Sequence, residues 1–100
     1  MKGSMHKVII RPRAKWDLKK IWRYTYKNWG VSQADTYAAI LEQAIITIPE
    51  NPQIGMSINT FRKDYRQYPV KHHLIIYRLT NTHVEIIRVL GETMKVLSHI

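Results

Sequence analysis

Apolar positions recur along this chain with two different periods, and the change of period divides it. Between polar ends, the Val-Ile-Ile centre of His6–Arg11 (HKVIIR) predicts a short first strand. Pro12 then marks a helix entry, where its missing N–H costs nothing. From Arg13 to about Asn28 the residues Ala14, Leu18, Ile21, Trp22 and Thr25, continued by Trp29, recur at helical spacing. Lys15, Lys19, Arg23 and Lys27 take the other side. Gly30 predicts the stop, as a residue that tolerates a left-handed cap. Ser32 is expected to open a second helix, with Asp35 behind it favouring the N-terminus. That helix carries Ala34, Tyr37, Ala38, Leu41, Ala44, Ile45 and Ile48 on one stripe. The short link predicts an antiparallel helical hairpin. Pro49 and Pro52 end it, and Asn51–Thr60 is expected as a loop.

The second half reads with the shorter period of strands. Tyr65–Val70, Leu74–Leu79 and Val84–Leu90 are rich in β-branched and aromatic residues, with turn formers between them. Their short links predict antiparallel pairing. In the tail, Met94, Leu97 and Ile100 fall at helical spacing and predict a final turn that packs back. The order gives an α+β architecture: an N-terminal strand, an antiparallel helical hairpin, then a three-stranded antiparallel sheet with a short C-terminal helical turn. Burial of a Trp22/Leu41/Ile45 stripe on Ile75/Tyr77/Ile87 is expected to hold the layers together. Residues 6–100 are read as one domain, and 1–4 as a possible expression leftover.

Composition changes the picture through charge. Apolar residues form 45% of the 100, and there is no run of roughly 18 of them to suggest a membrane span. The absence of cysteine excludes disulfides and thiolate chemistry, and fits a reducing cytoplasm. Sixteen Lys and Arg against seven Asp and Glu leave a net charge of +9. The excess is uneven: Lys7–Lys27 holds eight basic residues and one acid, whereas Trp29–Thr60 holds three acids and no Lys or Arg. Phe61–Leu90 returns to six basic against two acidic, and its arginines occupy polar positions of the strands. A positive surface of this kind favours an acidic partner, nucleic acid or an acidic protein segment.

Other chemistry is less well supported. The histidines His6, His72, His73, His83 and His99 form no pair at ligand spacing on one helix, so no metal site is expected. His72 and His73 are strand neighbours and point to opposite faces. Most of the Trp16, Trp22, Tyr26, Trp29 series is expected in the core, with Trp16, Tyr24 and Tyr26 off the stripe as candidate contacts. No helix-turn-helix or other DNA-reading motif is present.

Several segments together resemble the ParE/RelE toxin superfamily. They are Ile21-Trp22-Arg23-Tyr24 with Trp29-Gly30, Gln33–Tyr37, Pro49–Gly55, Phe61–Arg66, Ile75–Arg78 and Ile86–Leu90, which match in order and spacing over most of residues 8–97. The ParE branch is the more similar. Gly91 stands where a His is usual there, Met94 is kept, and Lys95 replaces an Asp.

The resemblance implies the toxin of a bacterial type II toxin–antitoxin pair, with a ParD-like antitoxin as partner and no cofactor. ParE-like members inhibit DNA gyrase, whereas RelE-like members cut mRNA in the ribosomal A site. Under the first reading, Arg62, Arg66, Tyr77, Arg78, Arg88, Met94 and Leu97 are the expected contacts to target or antitoxin. Catalysis is not expected. Under the endoribonuclease alternative, Arg62, Arg66, Arg88 and His99 would carry it, since cleavage needs charge stabilisation and a proton-transfer group. A third reading is a basic binding module without toxicity.

Overall fold

The computed structural model describes residues 6–100, so the suggested leftover at 1–4 lies outside the described residues. The chain forms β1 (Lys7–Ile10), α1 (Pro12–Trp29), α2 (Val31–Thr47), β2 (Met56–Ser57), β3 (Tyr65–Val70), β4 (His73–Leu79) and β5 (His83–Gly91). Single 3-10 turns follow α2 at Ile48–Glu50 and close the chain at Val96–Ser98.

Pro12 occupies the first turn of α1, as its missing donor allows. Gly30 terminates α1 at φ 94°, in the left-handed half of backbone space, with its N–H on the Tyr26 carbonyl. The same residue is the N-cap of α2, so the hairpin link is one residue long. The expected Ser32 cap is therefore absent: Ser32 already lies inside the helix. Asp35 accepts the Trp22 indole N–H at 2.9 Å and so pins the two helices to each other.

The α+β expectation holds, with a larger sheet. Five strands stand in the order β1-β5-β4-β3-β2. The links β3–β4–β5 are antiparallel, as short connections require. β1 returns to pair in parallel with β5, Lys7 opposite His83 and Ile10 opposite Ile86. Inside the expected Asn51–Thr60 loop, Met56 and Ser57 pair with Gln67 and Arg66.

Both faces of the sheet are covered. Beneath the hairpin, Ala14, Leu41, Ile45 and Ile48 meet Ile75, Tyr77, Val84, Ile86 and Val89. On the opposite face Ile58, Ile76 and Leu90 form a second cluster, roofed by Tyr65, Ile87, Val96 and Ile100. Three members of the expected core are elsewhere, Trp29 among them, 64% exposed at the end of α1. Trp22 is only half-buried, because its ring is stacked on Tyr26 and its N–H is held by Asp35. Ile87 faces away from the helices. The β4–β5 register slips between Ile76 and Tyr77, which oppose Arg88 and Ile86. This bulge puts Ile87 and Arg88 together on the outer face, where strict alternation would have separated them.

Candidate functional site

β1 ends at Ile10, opposite Ile86, and the edge of β5 beyond that point has no strand neighbour among the described residues. Asp17 of α1 fills the gap. Its Oδ2 accepts the Val89 backbone N–H at 2.9 Å and the Arg88 Nε–H at 2.7 Å, and its Oδ1 accepts Arg88 Nη2–H at 2.9 Å. Both side chains are buried. The hydrogen bonds to Asp17 raise the Arg88 pKa above its ordinary value, against the opposing effect of burial.

Around this pair an open groove of about 710 Å³ runs over the outer face of the sheet. Its walls are Arg11, Pro12 and Arg13 from the β1–α1 corner, Arg62, Lys63 and Tyr65 from the approach to β3, and Arg78. Glu85, Ile87 and Arg88 of β5 and the terminal His99 and Ile100 complete it. Six cations thus surround one carboxylate. Glu85 lies 3.2 Å from Arg78 and His83 and 3.7 Å from Arg11. Burial would raise its pKa, but the hydrogen bonds from His83 and Arg78 and the charges of Arg78 and Arg11 outweigh it and hold Glu85 below its ordinary value. No described ion pair involves Arg13, Arg62 or Lys63.

The tail forms one rim. Arg88 Nη1 donates to the His99 carbonyl at 3.0 Å and Arg62 Nη2 to the Ile100 carbonyl at 2.6 Å. The Arg62 guanidinium also sits 5.7 Å from the Tyr65 ring centroid. Val96 and Ile100 are the tail residues that pack inward. Leu97 (61% exposed) and Met94 (38%) point outward, so the expected Met94/Leu97/Ile100 inner stripe is replaced by the tighter spacing of a 3-10 turn. Met94 Sδ accepts the Gly91 N–H at 3.2 Å.

Of the residues singled out from sequence, Arg62, Arg78, Arg88 and His99 meet in this groove. Arg66 does not. It shares a face with Tyr77, and its Nη1 donates to the Gly55 and Gln53 carbonyls at 2.6 and 3.3 Å. Tyr77 is not a contact residue either: it is fully buried, its hydroxyl donating to the Pro52 carbonyl at 2.6 Å and accepting the Gly55 N–H at 3.0 Å. Burial of that ring raises its pKa, against the Gly55 hydrogen bond and the Arg66 charge. Arg88 reaches the tail side of the groove through Nη1, its Nε and Nη2 being held by Asp17. Sequence reasoning missed Arg11, Arg13 and Tyr65. Only the parallel pairing of the first strand with the last brings that corner beside Glu85, and no local pattern signals it. Among the described residues no group of three or more His, Asp or Glu is placed to hold a metal.

Comparison with known proteins gives a consistent picture. The family described as ParE toxin of type II toxin-antitoxin system, parDE, matches residues 8–96. Toxin ParE1 of Caulobacter vibrioides is 41% identical over 88 residues, covering 88% of this chain and 91% of that one. Toxin ParE1 of Mycobacterium tuberculosis is 36% identical over 89 residues, with the same coverage of 88% and 91%. Among solved structures, the chromosomal ParDE TA system from P. aeruginosa superposes at a TM-score of 0.77 over 87% of this chain and 96% of that one, at 13% identity. The YoeB dimer from Staphylococcus aureus superposes at 0.57 over 87% and 97%, at 14% identity. These two share the fold.

Proposed function

The chain belongs to the ParE toxin family of type II toxin–antitoxin systems, and from that premise we propose that it inhibits DNA gyrase by binding it in the cytoplasm and that a ParD-like antitoxin neutralises it. The observation that carries this reading is the outer-face groove. Six cations line it, and Arg11, Arg78 and Arg88 are braced by Glu85 and Asp17, so their positions are fixed before any partner arrives. A preset cationic surface beside the exposed Leu97 suits docking of an acidic or mixed macromolecular surface. Arg62, Arg78, Met94 and Leu97 are the contacts we assign to it, with Arg88 shaping the floor. The antitoxin is proposed to bring an acidic segment that orders as it binds. The P. aeruginosa structure that shares this fold is of a ParDE system, which supports a partner of the ParD type.

One observation favours the endoribonuclease reading. Arg62, Arg88 and His99, three of the four residues it needs, line one groove. Arg88, however, is held in a buried ion pair, and Arg66 lies off the groove. Binding therefore remains the preferred reading. Purified protein assayed for gyrase supercoiling, beside mRNA cleavage in a translating extract, separates the two. Loss of supercoiling or trapped cleaved DNA is expected. Cuts at A-site codons with gyrase unaffected would overturn the proposal, and neither effect would favour a non-toxic binding module.

A further inference from the structure

Helix α1 carries a surface that neither the core nor the groove uses. Ala14, Asp17 and Thr25 are buried on its inner side, while Lys15, Lys19, Lys20, Arg23 and Lys27 are exposed. No described ion pair involves any of these five cations. The helix has one acid, Asp17, and Arg88 neutralises it in the interior. The outward side therefore presents five positive charges and no negative one.

Charge alone does not identify a ligand, since basic helix faces are often merely solvated. The aromatic rings do. Trp16 and Tyr26 are each 50% exposed and Tyr24 63%. Their orientations are set by neighbours: the Arg23 guanidinium lies 5.8 Å from the Trp16 centroid, and Tyr26 stacks on Trp22 at 5.2 Å with rings 6° from parallel. Half-exposed rings thus alternate with cations along the helix. Surfaces that hold unpaired strands combine these two elements, with charges tracking the backbone and rings stacking on bases. The lengths agree as well. Lys15 to Lys27 spans about 18 Å of helix axis, room for several successive phosphates of one strand.

We propose that the outer face of α1 binds single-stranded nucleic acid, the lysines and Arg23 holding phosphates and Trp16 and Tyr26 stacking on bases. An acidic peptide would meet the charges and leave the rings unused, and a duplex keeps its base faces hidden. The groove takes only Pro12 and Arg13 from the first turn of α1 and none of these five cations or three rings, so this surface stands independently of the gyrase reading.

The test is fluorescence anisotropy of a labelled oligothymidylate of about 15 nucleotides, titrated with the full chain over a range of salt. Binding is expected with a slope of log K on log salt of about −3.5. Lys19→Gln with Arg23→Gln should reduce the magnitude of that slope by about 1.4, whereas Lys7→Gln with Lys71→Gln, the same charge change outside α1, should leave it unchanged. Trp16→Ala should weaken binding at least about fivefold. If Trp16→Ala does not fold by circular dichroism, Trp16→Leu removes the ring face and keeps the bulk. No binding at low salt, insensitivity to the Trp16 change, or equal competition by duplex DNA or polyglutamate at matched charge would each overturn the proposal. Supercoiling by gyrase reads the groove and not this face, so the two proposals fail separately.

Discussion

Arg88 and Asp17, 71 positions apart in sequence, form a two-pronged buried pair that ties the last strand to the first helix. Asp17 also takes the Val89 N–H, so one carboxylate closes the sheet edge that β1 leaves open. Removing one member of a buried pair strands the other charge in the interior. Asp17→Ala should therefore cost about 3–5 kcal/mol of stability, read by urea unfolding. The double variant Asp17→Ala/Arg88→Met should recover most of the loss. Equal destabilisation in the single and double variants would mean that the Val89 contact, and not the ion pair, dominates.

The elements were largely legible because their signals are local. Pro12, Gly30, the two helical stripes and the three later strands all follow from spacing and turn residues. What escaped is long-range. The parallel return of β1 to β5 cannot be read from either strand, and it is what sets Arg11 and Arg13 beside Glu85. The bulge at Ile87 inverted its expected face, and burial of Arg88 and Tyr77 depended on partners, Asp17 and the Pro52–Gly55 loop, that spacing does not reveal. An arginine at a polar position of a strand thus has two physical fates, solvated contact or internal brace.

The groove cations divide accordingly. Arg78 has a side chain 44% exposed, and Arg62 is exposed. Arg62→Gln or Arg78→Gln should cost no more than about 1 kcal/mol of stability while reducing growth arrest on expression. Thermal melting beside a growth assay checks both halves, and arrest at the wild-type level in both variants would remove the groove from the proposed mechanism.

Tail contacts need a similar separation. Deleting Met94–Ile100 is expected to abolish toxicity, yet it also strips Val96 and Ile100 from the second cluster. For two half-buried side chains that loss is about 1.5–3 kcal/mol in total. Leu97→Ser is the cleaner probe, since its side chain is mostly in solvent. Growth arrest should weaken with the melting temperature unchanged. A fully toxic Leu97→Ser protein would show that the exposed side of the tail contacts no target.

Gly55 explains the Pro49–Gly55 segment that was conspicuous in the sequence. A Cβ there would come within 2.8 Å of the Tyr77 ring and hydroxyl and 2.9 Å of the Gln67 carbonyl. Gly55→Ala should therefore cost about 1–3 kcal/mol through overpacking. Tyr77→Phe, which keeps the ring and leaves the Gly55 N–H and Pro52 carbonyl without their partner, should cost about 1–3 kcal/mol as well. Both are read from denaturant midpoints, and a neutral Gly55→Ala would mean that the loop relaxes away from Tyr77.

His73 makes stability depend on pH. Its Nδ1 lies 2.6 Å from the Tyr37 hydroxyl, which also accepts the His72 N–H at 3.2 Å and therefore donates to the neutral imidazole. Burial lowers the His73 pKa from its ordinary 6.5, His72 lowers it further, and Glu92 and Asp17 only partly oppose this. With the native pKa depressed, the unfolded chain binds more protons below about pH 6.5, so stability falls as pH drops through that value and on toward the native pKa. Above it both states hold the imidazole neutral, and this contribution is flat. Urea midpoints at successive pH values from neutral to mildly acidic should show the decline, and His73→Gln, which keeps an acceptor for Tyr37, should flatten it. An unchanged slope in that variant would assign the acid sensitivity to another group.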